Sequence, residues 1–188
     1  ECVLQSHKLN TRENDRMNKK ESNEISMPNM QMTLYYDEIY SSGLDRTARF
    51  PVDRYAKIAE KIREEDREAL IELKVPRLAK REEILLVHDE DFVDRFLAQE
   101  LREEEIRRIG LRPWKSEIVE RTLRLVGGAI EGLDLLQKGV LIAGNMAGGT
   151  HHAFRGEGAG YCIFNDLAVC AEIALQRGQA KRVLVLDL

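Results

Sequence analysis

The stretch that most restricts the fold is the last third of the chain, where "VLIAGNMAGG", "IFNDLAVCAEIALQRG" and "RVLVLDL" follow one another between residues 140 and 188. A short apolar run leads through a glycine-containing loop into a largely apolar helical segment. A second apolar run rich in valine and leucine then follows. Two strands joined through a helix must lie parallel, and a parallel sheet needs cover on its faces, so the pattern predicts an α/β protein. Asn165 or Asp166 stands where the helix needs an N-cap, and "RVLVLDL" reads as a buried strand.

Upstream, "MTLYYDEIY" carries the aromatic and β-branched content of a first strand. In "VDRYAKIAEKIREED", Tyr55, Ile58, Ala59 and Ile62 recur at helical spacing. "EEILLVHDEDFVDRFL" predicts a short strand joined to a helix, with Asp89 at the N-cap. The charge-rich "ELREEEIRRI" predicts a solvated helix face. In "KSEIVERTLRLVGGAIEGLDLLQKG" the stripe Ile118, Thr122, Leu125, Ala129, Leu133 and Leu136 marks a long helix ended by Gly139 at C′. Gly127 and Gly128 inside it weaken the helix, which implies that another piece of backbone packs closely there.

Residues 1–31 are polar, lack aromatic residues and show no periodicity, so this segment is expected to be disordered or a non-native leader, with Met32 as a natural start. At the other end "KRVLVLDL" breaks off without turn chemistry, which suggests that residues 32–188 are the N-terminal part of a larger, truncated domain. A net charge of −4 spread over mixed-sign residues excludes a basic nucleic-acid groove. No run reaches the roughly 20 apolar residues of a membrane helix. Three cysteines without metal-ligand spacing suit a reducing compartment, and a cytoplasmic location is expected. Nothing in the composition specifies an oligomeric state.

Two of the four histidines, His151 and His152, are adjacent in "GGTHHAFRGEGAGYCIFND". Ligands in open parallel sheets gather beyond the carboxyl ends of strands, and this pair follows such an end. Glycines on either side would admit substrate, and two imidazoles can accept and donate protons near neutral pH. Asp187, at the end of the next expected strand, is a candidate orienting partner. On the dipeptide alone a surface pair or a pair of satisfied polar groups is equally good. A thiol beside an imidazole also leaves open a cysteine hydrolase using Cys162.

The complete string G-G-T-H-H-A-F followed by G-E-G-A-G-Y-C-I-F-N-D resembles the histone deacetylase family, bacterial deacetylase-like and acetylpolyamine amidohydrolase members included. "YYDEIYSSGLDRTARFPVDRY" and "VHDEDFVDRFL" are similar to its N-terminal part, so the likeness covers 32–188. The resemblance implies a three-layer αβα fold of the arginase and deacetylase type, and a zinc-dependent hydrolysis of the amide in acetyl-lysine or a small acetylated amine. It implies His152 as general base and later acid, and His151 as its neighbour backed by Asp187. Gly160 and Tyr161 would line the channel that grips the substrate stem, with Cys162 near its floor.

The family's zinc ligands lie in segments expected beyond Leu188, so no metal ligand is assigned in this chain. Where many members carry an acidic residue in the loop before the long helix, "IGLRPWKSE" has Arg112 and Trp114, which argues against peptide-type substrates. The competing expectation is a non-catalytic fragment or pseudoenzyme acting through partner binding.

Overall fold

The computed structural model describes residues 3–5 (backbone), 31–45, 47 and 50–187. Its sheet holds β1 (Val3–Gln5), β2 (Met32–Tyr35), β3 (Ile71–Lys74) and β4 (Ile142–Asn145), in the order β1-β4-β2-β3. β2 is the centre of a parallel three-stranded unit, with Leu34 opposite Leu73 on one side and Gly144 on the other. β1 adds to the outer edge of β4 in antiparallel sense, Leu4 facing Ala143. Thus three residues of the segment expected to be disordered pair with the sheet, while 1–2 and 6–30 lie outside the described residues. The architecture is a parallel sheet with helices, consistent with the αβα arginase and deacetylase type.

The helices are α1 (Arg54–Glu65), α2 (Arg81–Ile84), α3 (Glu90–Leu97), α4 (Glu103–Ile109), α5 (Glu117–Gln137) and α6 (Asp166–Gln176). α5 lies along β2 and β4 and carries α6 on its flank. Its expected stripe is buried, and so is Arg121, whose Nε–H donates to Tyr40 O at 3.2 Å. Gly127 is where another backbone crosses: a Cβ there would stand 2.0 Å from Arg77 O. Gly128 is nearly as tight, its virtual Cβ 3.1 Å from the Cβ atoms of Pro76 and Tyr35. The main core gathers Tyr40, Phe92, Phe96, Ile84, Ile109, Ile130 and Phe164 around α5, all 0–1% exposed.

Three local expectations need correction. "EILLV" is not a strand: Ile84 ends α2 and is fully buried, and the third sheet strand is the weakly apolar "IELK". "ELREEEIRRI" does form a helix, but Glu105 is 6% exposed, held by Arg95 at 2.8 Å and Arg102 at 3.1 Å. Burial pushes its carboxyl up while the hydrogen bonds from Arg102 and Arg95 pull it further down, to about 2. "RVLVLDL" has strand composition but pairs with no strand among the described residues, and Leu184 and Leu186 stand 86% and 65% exposed. β-propensity records a fit to neighbouring strands, and without a partner backbone it does not make a strand.

Candidate active site

β4 ends at Asn145, which is buried beneath the loop that follows. Its amide donates to Leu125 O at 2.6 Å, and its Oδ1 lies 3.2 Å from the Tyr40 hydroxyl, so the strand end is tied to α5 and to the 3-10 turn Glu38–Tyr40. Beyond it the chain carries both histidines to the surface at the carboxyl end of the sheet. Their rings lie in contact, centroids 4.2 Å apart and planes tilted by 44°.

His151 has an oxygen facing each ring nitrogen. Nδ1 is 3.0 Å from Gly149 O, and Nε2 is 3.5 Å from Asp187 Oδ2. A proton on Nδ1 goes to the backbone carbonyl, and a further proton at Nε2 would face the carboxylate. Asp187, expected at the carboxyl end of the next strand, thus lies beside His151, although its segment is no strand. With 71% of its side chain exposed, Asp187 makes a loose pair.

His152 stands over Gly160. A Cβ at Gly160 would come within 3.1–3.2 Å of the His152 Cβ, Cγ and Cδ2 atoms, so a side chain there would press on the imidazole. Gly160 and Tyr161 both have positive φ, +54° and +68°. For tyrosine that is a strained conformation. Neighbouring contacts impose it: Tyr161 N–H donates to Ile109 O at 2.7 Å, and the ring lies 4.9 Å from Phe50 and against Gly110. Cys162 is buried, its Sγ 3.5 Å from Gly160 O, and burial pushes its thiol up. A thiol held protonated is a poor nucleophile, which removes support from the cysteine-hydrolase reading. The structure therefore brings all six sequence-derived residues into one region.

The sequence did not reveal what holds that region. His88, 3% exposed, has Nδ1 3.0 Å from Arg155 O while Nε2 accepts Asn165 N–H at 2.9 Å. Only the neutral ring with its proton on Nδ1 satisfies both, and burial lowers its affinity for a second proton. Asn165 caps α6 through Ala168 N–H at 3.0 Å and also donates to Ala153 O at 3.2 Å. Asp166, 1% exposed, accepts from Gly149 N and Thr150 N at 3.0 and 2.8 Å. Asp89 occupies the N-cap position of α3 but makes no side-chain cap bond; its carboxylate lies against Gly156. A lone histidine directly before that position was the available sign of the clamp.

In the loop before α5, Arg112 is exposed, while Trp114 is partly buried with its ring 6.2 Å from Phe96. No helix among the described residues is long and apolar enough to cross a membrane. Nor do the described residues gather three or more His, Cys, Asp or Glu side chains as a metal ion would need.

Residues 48–188 match the model of the histone deacetylase domain. The chain belongs to the histone deacetylase family. An uncharacterized protein of Picosynechococcus sp. is 38% identical over 160 residues, 85% of this chain and 52% of that protein. The acetoin utilization protein AcuC of Bacillus subtilis is 38% identical over 120 residues, and that of Staphylococcus aureus strain MSSA476 32% identical over 120. Each of these matches covers 60% of this chain and 31% of the relative. The chain thus spans about half the length or less of the curated relatives it matches.

Proposed function

We propose that the protein is a zinc-dependent deacetylase acting on a small acetylated amine or acetyl-lysine, and that this chain supplies its proton-transfer groups and one wall of its substrate channel. The observation that carries the reading is the exposed His151–His152 pair, its rings 4.2 Å apart, with Asp187 3.5 Å from His151. His152, beside the bare backbone of Gly160, takes a proton from the attacking water and returns it to the leaving amine. His151 supports it electrostatically, with its developing charge shared with Asp187. Tyr161 and Gly160 flank the acyl-amine stem, and Cys162 lies beneath them as packing. The described residues do not themselves gather a metal site.

A positioned proton acceptor typically contributes about 10²- to 10⁴-fold. Acetate release from acetylated amines by the whole protein should fall by about that factor in His152→Ala and less in His151→Ala. Near-normal turnover in His152→Ala would overturn the assignment, and a larger loss in His151→Ala would reverse the pair. Turnover resistant to chelators would remove the zinc.

A further inference from the structure

Three oxygens behind the histidine loop stand too close together for the protons that an ionised carboxylate would leave them. Thr150 Oγ1 is 2.6 Å from Phe164 O and 2.7 Å from Asp166 Oδ1. Both are short hydrogen-bond distances, and each needs a hydrogen between its oxygens. Thr150 has one hydroxyl hydrogen, and the carbonyl of Phe164 has none. With Asp166 ionised, one contact would be a bare approach of two lone pairs.

We infer that Asp166 is held as the neutral carboxylic acid and is a positioning residue for the histidine pair: its Oδ1–H donates to Thr150 Oγ1, which donates to Phe164 O. The remaining groups then close the count. Oδ1 still accepts Thr150 N–H at 2.8 Å, Oδ2 accepts Gly149 N–H at 3.0 Å, and Thr150 Oγ1 receives Asp166 N–H at 3.2 Å. That is one donation and two acceptances at the hydroxyl, its full capacity. Gly148 permits the approach, since a Cβ there would lie 2.8 Å from Asp166 Oδ2.

The surroundings suit a neutral group. Asp166 faces the Tyr40 phenol and the Cys162 thiol, both pushed up by burial and both uncharged, and Cys170 lines the same crevice between α5, β4 and α6. Arg121, a buried cation of the region, donates to Tyr40 O and interacts electrostatically with Tyr55, Tyr40 and Cys162. The loop itself brings His151 and His152 immediately after Thr150. Burial pushes the Asp166 carboxyl up, against hydrogen bonds from the Thr150 hydroxyl and from the Thr150, Gly149 and Leu167 backbone that pull it down. When the acid ionises, the Thr150 hydroxyl must turn from Phe164 O to the carboxylate. Gly149 and Thr150 then shift relative to α6, and the two imidazoles shift with them. The neutral acid thus sets where the proton-transfer pair stands.

The positioning role rests on the deacetylase reading, whereas the protonation state is read without any turnover. Whole protein labelled with ¹³C at the aspartate carboxyl, beside the same protein carrying Asp166→Asn, is measured by infrared spectroscopy across pH. The expected result is a protonated-carboxyl stretch at pH 7 that is absent from Asp166→Asn and disappears at higher pH, with turnover falling along the same curve. Thr150→Val, which removes the acceptor, should move the titration, and Thr150→Ser should restore it. No such band at pH 7, or a titration indifferent to Thr150→Val, would overturn the inference. A turnover profile flat through the loss of the band would overturn the positioning role.

Discussion

Gly127→Ala and Gly132→Ala place the same methyl group five residues apart on α5, and the structure assigns them opposite signs. In an exposed helix interior, alanine is favoured over glycine by about 0.5–1 kcal/mol. At Gly132 nothing opposes that gain, because the new Cβ would meet Ala143 Cβ at an ordinary 3.6 Å. At Gly127 it would sit 2.0 Å from Arg77 O and 3.0 Å from Ala79 N, so the crossing backbone must retreat by about 1 Å. That backbone is pinned to α5 by Ala79 N to Leu123 O at 2.9 Å, Arg77 N to Glu131 Oε2 at 2.7 Å and Arg124 Nη1 to Pro76 O at 2.8 Å. Each bond contributes about 0.5–1.5 kcal/mol net, and overpacking itself costs about 1–3. After subtracting the helix gain, Gly127→Ala should destabilise by about 2–4 kcal/mol, while Gly132→Ala stabilises by up to about 1. Urea unfolding followed by circular dichroism gives both values, with unchanged slopes confirming comparable end states. A Gly127→Ala variant within about 1 kcal/mol of Gly132→Ala would refute the close crossing, since propensity alone would then account for both.

Glu105 titrates lower in the folded than in the unfolded state, so its stabilisation is complete above the ordinary glutamate range and is lost as pH falls towards about 2. Because Arg102 is largely exposed, solvent screening reduces the contribution to about 1–2 kcal/mol; Glu105→Gln should remove that part of the acid dependence in unfolding curves measured across pH. His88→Leu leaves Asn165 N–H without its acceptor, while Arg155 C=O keeps the Asp89 N–H at 3.0 Å, and should cost about 1–3 kcal/mol, seen as a lowered urea midpoint. Zinc measured by atomic absorption on the 188-residue chain should fall well below one ion per chain, since the described residues gather no ligand set; one tightly held ion would refute this.

The helices were readable where one face is continuously apolar, as in α5, and the glycine pair inside it correctly signalled a backbone crossing. Tertiary context decided what periodicity could not. A four-residue apolar run such as "ILLV" fits a strand or one buried helical turn equally well, and β3 is paired despite charges at Glu72 and Lys74 that hide it. "RVLVLDL" shows the converse, with strand composition but no partner strand among the described residues. Around the proposed site, the histidine pair stood out because two adjacent imidazoles in a glycine-rich loop are chemically conspicuous, whereas the channel-lining parts of Gly160 and Tyr161 came only from the family resemblance. Beyond the lone histidine before the α3 N-cap, the roles of His88 and Asp166 escaped because their work is done by proton positions and by contacts with other segments, which no local pattern encodes.

The clamp on the histidine loop also bears on when the site forms. The bond from Asn165 to His88 joins residues 77 apart in sequence, and the one from Tyr40 to Asn145 joins residues 105 apart. Contacts of such span close large loops and reward the chain only after its helices and sheet have met. The loop therefore belongs to the late side of the folding barrier, and its anchors carry little of the nucleus. Conservative changes at His88 or Asn165 should accelerate unfolding while leaving the refolding rate almost untouched, so that the region proposed for catalysis is the last to order and the first to open.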